Sequence, residues 1–439
     1  MFFYSTKNKK EKVDFKTALF KGLPDDNGLY MPLRFNKLSP SFIENIQDYS
    51  LPEIAYQVSK TILTDSISNT ALKNIVNTAI NFPAPVIPLN ASTYILELFH
   101  GPSLAFKDFG ARFMAQCMSH FLLKEKKEIT ILVATSGDTG GAVAAGFYKT
   151  PGVKVVILYP KGKVSTIQEK QLTTLGENIT ALEIDGTFDD CQALVKQAFL
   201  DSELRTRINL SSANSINIAR LIPQSFYYFE AYKQLKLKGK TDIVFIVPSG
   251  NFGNITAGLF AQKLGLPVHK FIAAVNANDV FTTYIHSGKF LPKPSVRTIS
   301  NAMDVGNPSN FARINFLNDS SWNNVRKDIA SYTFTDVETE VAMREVKEKY
   351  NYILEPHAAV GYLAWQKYVS ETETNATGVI LGTAHAAKFY DDVTRIIKSK
   401  INIPESLQNI LQKEKIAVAL NPDFKIFKSF LLDNFQTKI

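Results

Sequence analysis

EITILVATSGDTGGAVAAGF, residues 128–147, sets the reading of the chain. Residues 128–134 are apolar nearly throughout, the pattern of a strand buried on both faces. Thr135-Ser136-Gly137-Asp138-Thr139-Gly140 then turns the chain into a small-residue helical pattern. The same kind of apolar run recurs on either side: TYILELF (93–99), VKVVILYP (153–160), ITALEID (179–185), TDIVFIVPS (241–249), KFIAAVN (270–276) and TGVILGT (377–383). Helical patterns such as FGARFMAQCMSHFLLK and TAGLFAQKLG lie between many of them. This alternation predicts an α/β protein with largely parallel sheets, whose ligands bind beyond the carboxyl ends of strands. Before this region, helical patterns run from about Pro52 to Ile80, and Pro83, Pro85 and Pro88 mark a boundary.

Bulk composition narrows the function classes. The chain has 439 residues, 45% hydrophobic and 21% charged, enough for two or three domains at roughly 100–200 residues each. Cys117 and Cys191 are its only cysteines, which argues against a disulfide framework or zinc site and predicts a reducing, cytoplasmic setting. The net charge of +8 reads as a lysine-rich solvated surface. The basic clusters Lys7–Lys12 and Lys233–Lys240 lack the interleaved aromatics of a nucleic-acid groove, so no nucleic-acid partner is expected. MFFYSTKNKKEKVDF at the start lacks the apolar core of a signal peptide, and no stretch approaches a membrane span. No His, Cys, Asp or Glu cluster has metal spacing, so no metal is expected.

Four segments carry chemistry. In ELFHGPSLAFKDFGARF (97–113), a strand ends, Gly101-Pro102 turns the chain, and a helix is predicted to start near Asp108 as its N-cap. Lys107 then lies beside a helix N-terminus in apolar surroundings. The helix dipole gives its ammonium form nothing, and burial disfavours that form. Such a lysine suits Schiff-base or nucleophilic work, although by spacing alone a plain surface lysine is the favoured reading. The loop Thr135–Gly140 and the loop Ser249-Gly250-Asn251-Phe252-Gly253-Asn254 each follow a strand and open a helix, so their amides can receive an anion. Neither is a P-loop or a dinucleotide fingerprint. A plain turn between strand and helix remains the alternative for each. In VILGTAHAAKF (379–389), Thr383 places a hydroxyl at a strand end, as ligand or as helix cap. In SSANSINIARLIPQ (211–224), Asn214, Ser215 and Asn217 lead to Arg220, whose fork suits a phosphate or a carboxylate partner. NAMDVGNPSN (301–310) is turn-rich without a chemical signature, and His100 and His385 read as structural histidines.

Together HGPSLAFKDFGARFMAQ, ATSGDTGGA, NSINIARLIPQ, PSGNFGN, NAMDVGNPSN, EPHAAVGY and LGTAHAAKF resemble the threonine synthase family. This is the longer-chain group within the pyridoxal 5'-phosphate (PLP) enzymes related to the tryptophan synthase β subunit. GLPDDNGLYMP, near the start, is similar to that family's N-terminal domain. The resemblance implies PLP fold type II: two doubly wound α/β halves with a small N-terminal domain. It implies an N-terminal domain over 1–85, a larger half over 86–106 and 213–400, a smaller half over 107–212, and a C-terminal tail over 401–439. It implies PLP as cofactor, joined covalently to Lys107 and cradled by Gly250, Asn251, Phe252, Gly253 and Asn254. Thr383 would meet the pyridine nitrogen and Asp138 would lie beside the cofactor. Relatives outside this group often carry Asn at the latter position. Thr135, Ser136 and Thr139 would hold the substrate carboxylate; Asn214, Ser215 and Arg220 its phosphate.

The activity so implied converts O-phospho-L-homoserine and water to L-threonine and phosphate, with Lys107 serving as tether and as base. A hydroxyl at the pyridine nitrogen would hold a proton there less firmly than a carboxylate does. The expected partner is this small substrate alone, in a monomer or homodimer. Alternatives are another lyase of the same fold, such as a serine or threonine dehydratase or a cysteine synthase, and a non-catalytic phosphate-ester-binding relative.

Overall fold

The computed structural model describes residues 1–63 and 65–436. Its centre is a six-stranded sheet in the order Ile329–Thr333, Lys270–Val275, Ile243–Pro248, Thr377–Gly382, Thr93–Glu97, Val86–Pro88. Every neighbouring pair is parallel except the last, which is antiparallel. Ile243–Pro248 and Thr377–Gly382 are buried along their whole length, because helices cover both faces. The helix Pro356–Thr372 lies so close to the sheet that a Cβ at Gly378 would sit 2.3 Å from the Trp365 ring. Trp365 in turn donates its indole N–H to Thr93 Oγ1 at 2.9 Å, which keeps that buried polar atom satisfied.

A second sheet has five strands in the order Val418–Leu420, Ile179–Ile184, Val153–Pro160, Ile129–Ala134, Leu210–Ser212, all parallel. Residues 418–420 come from the segment expected to be a tail, so that expectation needs correcting. The Asp185 amide donates to Leu420 O at 3.0 Å and the Ile416 amide to Thr173 O at 2.8 Å. Phe427, Leu431 and Phe435 of the last helix bury themselves with Leu194, Leu204 and Ile208. The end of the chain thus completes the edge and one face of this sheet. Its strand is short and mostly exposed, which left no buried-strand pattern to find in the sequence.

Residues near the N-terminus form a three-stranded antiparallel sheet, Phe3–Ser5, Lys12–Val13 and Tyr30–Pro32. Its core is continuous with the body. Phe15 and Phe20 meet Phe121 at ring-centroid distances of 6.5 and 6.2 Å, and Tyr4 meets Phe316 at 5.6 Å. The carboxyl ends of both large sheets send their loops toward the start of the helix Lys107–Glu125. Residues 98–106 and Thr383 arrive from one sheet and residues 135–137 from the other.

Candidate active site

Lys107 is the first residue of its helix, with Phe106 at the cap position. Asp108 is therefore not the N-cap. Its carboxylate turns back and accepts the Ser103 amide at 2.9 Å through Oδ2, while Oδ1 has no partner among the described residues. Burial pushes this carboxyl up to about 6. The backbone around Lys107 is fixed by the Phe106 amide, which donates to Thr383 O at 2.9 Å, and by a bridge between Ala105 and Ala384.

The Lys107 ammonium lies 3.9 Å from Asp138 Oδ2. Asp138 opens the helix Asp138–Phe147, after Gly137 with φ of +138°. A second lysine, Lys388, is fully buried and binds Asp138 Oδ1 at 2.8 Å and Ser103 O at 2.9 Å. Gln168 Nε2 also donates to Asp138 Oδ1, at 3.1 Å. Asp138 consequently stays far below the ordinary carboxylate range: the cations of Lys388 and Lys107 outweigh its burial. Lys107 shifts the opposite way. Burial lowers it most, Lys388 and Arg220 lower it further, and Asp138 and Glu355 oppose them. Lys388 thus satisfies Asp138 so that Lys107 need not, and an amine beside two other cations is biased toward its neutral form.

The loop after Ile243–Pro248 presents donors that no protein group takes up among the described residues. Phe252 takes a left-handed conformation, φ +59°, and the helix Gly253–Lys263 follows. The amides of Gly250, Asn251, Phe252 and Gly253 donate to no protein acceptor among the described residues. Asn254 Oδ1 accepts Tyr227 and Tyr228 hydroxyls at 2.6 and 2.8 Å, which leaves its Nδ2 buried and unpartnered. A Cβ at Gly250 would lie 2.6 Å from Met303 Cα, so glycine is required there for packing of the 301–303 turn. The Asn251 side chain is already engaged. It donates to Ser215 Oγ at 2.5 Å and accepts the Ser309 amide at 2.6 Å, tying the loop to two segments of the sequence motifs.

The remaining sequence-predicted residues fall into two groups. Thr135 Oγ1 accepts the Gly137 and Gly140 amides at 3.0 and 2.8 Å, so its oxygen shapes the loop and only its hydroxyl proton is left to offer. Ser136 and Thr139 are half-buried, and their hydroxyls bond no protein group among the described residues. Arg220 is 3% exposed and donates from Nη1 to Ala213 O, yet its Nε has no acceptor. Among the described residues no carboxylate forms an ion pair with it, and burial, opposed by the Asp108 charge, pushes it down to about 10. Asn217 is structural, bonding Leu19 O at 2.9 Å. His100 pairs with Glu97 at 2.8 Å, and His385 caps the following turn by accepting the Ala387 amide.

Sequence reasoning missed Lys388, Gln168, Glu355, His357 and Arg313. Glu355 caps the helix Pro356–Thr372, and its Oε1 lies 3.3 Å from Thr383 Oγ1. Arg313 is fully buried and donates to Tyr30 O, Ile216 O and Asn310 Oδ1. Asn310 bonds Asn251 O at 2.9 Å, so the N-terminal strand braces the anion loop. Lys388 and Glu355 sit inside recognised motifs, and an acidic residue before Pro356 was the available signal for a helix cap.

Residues 78–383 match the pyridoxal-phosphate dependent enzyme family; residues 2–80 and 358–431 match the threonine synthase N-terminus and C-terminal families. The threonine synthase of Escherichia coli (strain K12) is 44% identical over 432 residues, 98% of this chain and 99% of that one. The chain belongs to the threonine synthase family. The crystal structure of the Escherichia coli family member superposes with a TM-score of 0.90 at 43% identity, covering 99% of this chain and 100% of that one. The PLP-bound structure from Brucella melitensis gives 0.94 at 33% identity, covering all of both chains.

The donor set fits the cofactor this family uses. Four free amides and the orphaned Asn254 Nδ2 suit a phosphate ester, and a lysine biased toward its neutral form suits a carbonyl. Among the described residues no group of three or more His, Cys, Asp or Glu could hold a metal ion, and no helix is long and apolar enough to cross a membrane.

Proposed function

We propose that this chain converts O-phospho-L-homoserine and water to L-threonine and phosphate, the last step of threonine biosynthesis. The observation that carries the reading is a pair of largely buried donor sets with unpartnered N–H groups. One is the amide loop 250–253 with Asn254, matched to the cofactor phosphate. The other is Arg220, a buried guanidinium with an unpartnered Nε and no ion-paired carboxylate among the described residues, matched to the substrate phosphate.

PLP, when bound, supplies the electron sink that makes the hydrogens on Cα and Cβ of the substrate removable. Lys107 anchors the cofactor and, once displaced by the substrate amine, takes the proton from Cα and later returns one there. Its neighbours Lys388 and Arg220 favour the neutral amine that a base requires. Ser136 and Thr139 hydroxyls, with the Thr135 proton, bind the substrate carboxylate. Asn214, Ser215 and Arg220 bind its phosphate and hold Cγ over the reacting centre. In the net reaction the Cγ–O bond breaks and phosphate leaves, Cγ ends with an added hydrogen, and water delivers its oxygen to Cβ. Asp138 stays ionised and keeps Lys107 oriented. Thr383 meets the pyridine nitrogen. Residues 86–106 with 213–400, and 107–212, act as the two halves that carry these groups.

The test is a side-by-side assay of the purified holoenzyme on O-phosphohomoserine, serine and threonine. Equal molar release of phosphate and threonine from the first is expected. Ammonia and a keto acid from serine or threonine, with no phosphate released, would replace this reading with a dehydratase.

A further inference from the structure

We propose that Glu355 is a positioning residue that turns the Thr383 hydroxyl, so that the Thr383 oxygen faces the cofactor ring as an acceptor and the ring nitrogen keeps a proton. The proposal rests on the reading that Thr383 meets the pyridine nitrogen.

Hydrogen-bond direction carries the argument. The Ala302 amide donates to His357 Nε2 at 3.1 Å, and a backbone amide can only donate. Nε2 is therefore the acceptor nitrogen, and Nδ1 carries the proton that goes to Glu355 Oε2 at 2.5 Å. The same carboxylate accepts the His357 amide at 2.8 Å and the Ala358 amide at 2.9 Å. Each of these partners donates to Glu355, so the carboxylate acts as an acceptor throughout. Thr383 Oγ1, 3.3 Å from Oε1, has one proton, and the carboxylate is the partner that takes it. Glu355, His357 and Thr383 are 2%, 3% and 7% exposed, so water does not compete for these bonds.

The consequence reaches the ring. With its proton committed to Glu355, Thr383 has only lone pairs to present. An unprotonated pyridine nitrogen also presents a lone pair, and two acceptors oppose each other. A protonated nitrogen donates to Thr383 and sits one hydroxyl away from a buried anion, which favours its positive charge. The pair then does, more weakly, what a carboxylate in direct contact would do. The relay also gives two silent motifs a task. NAMDV supplies the Ala302 amide that fixes the His357 tautomer, and EPHAAVGY supplies the carboxylate.

Helix capping by Glu355 is a purely structural role, and it would change stability without touching the ring. The experiment therefore reads the ring nitrogen itself, by nitrogen-15 NMR of holoenzyme reconstituted with ring-labelled PLP. Parent enzyme is expected to show the shift of a protonated pyridine at neutral pH. Glu355→Gln and Thr383→Val are both expected to move it toward the unprotonated position, with Thr383→Ser retaining the parent signal. If Thr383→Val moves the signal and Glu355→Gln does not, the Glu355 role is overturned while the Thr383 contact stands. If neither moves it, Thr383 does not meet the nitrogen and both fall. Should Glu355→Gln fail to fold, Glu355→Asp keeps the cap and charge but withdraws the carboxylate from Thr383. A displaced signal in that variant supports the proposal, and an unmoved one overturns it.

Discussion

Replacing Lys388 with methionine removes a buried charge while keeping most of the side-chain volume. Two effects follow from the geometry. Asp138 loses its partner at 2.8 Å and remains buried, held by Gln168 at 3.1 Å and by Lys107 at 3.9 Å. Breaking one side of a buried ion pair costs about 3–5 kcal/mol. The second effect concerns Lys107. The repulsion from Lys388 that lowers it disappears, while the attraction of Asp138 that raises it stays. At about 4 Å and an effective dielectric near 20, that attraction is about 4 kcal/mol. With the Lys388 repulsion gone and this attraction unopposed by it, Lys107 shifts upward, toward its charged form. The acidic limb of the kcat profile for phosphate release, which reports the neutral amine in the substrate complex, is expected to move to higher pH. A pH titration of phosphate release on a variant shown to be folded measures it. An acidic limb within experimental error of the parent would refute the claim that Lys388 tunes Lys107.

Three further outcomes are expected. Lys107→Ala should abolish both the violet cofactor absorbance and phosphate release; full turnover in the folded variant would remove Lys107 from the chemistry. Arg220→Ala should lower kcat/KM for O-phosphohomoserine by about 10–150-fold, the worth of a hydrogen bond to a charged group, mainly through KM, and unchanged kinetics would take it out of the site. Asp108→Asn should stabilise the protein in a pH-dependent way. The folded carboxyl titrates near 6 against 3.8 when unperturbed, so the folded state binds more protons between those values and stability falls as pH rises through that window. The gain from Asn is then up to about 3 kcal/mol at pH 8 and vanishes near pH 4; denaturant unfolding at both pH values would show a pH-independent difference if the argument fails.

Much of the core was legible because it is buried on both faces. Thr377–Gly382, Ile243–Pro248 and Val153–Pro160 are apolar runs, and their boundaries differ from expectation by a residue or two at most. Ile329–Thr333 was missed because it is an edge strand with alternate residues half exposed, and Leu210–Ser212 because it is short and polar. The C-terminal strand Val418–Leu420 was missed because it is an edge strand of three residues, mostly exposed.

At the site, the motifs located the loops but not the direction of each hydrogen bond. Lys107, Asp138, Arg220 and Thr383 are readable as residue types that suit the chemistry, and their motifs resemble one family. The sequence by itself determined the α/β alternation, the family and the lysine on which the cofactor reading rests, since those depend on local pattern and motif order. Only the tertiary structure decided that Lys388, more than 200 residues from Asp138, shares its charge, and that Glu355 stands behind Thr383. Contacts between residues so far apart follow from how the sheets and helices pack. In a buried site, those contacts fix which groups are charged and which hydroxyl donates.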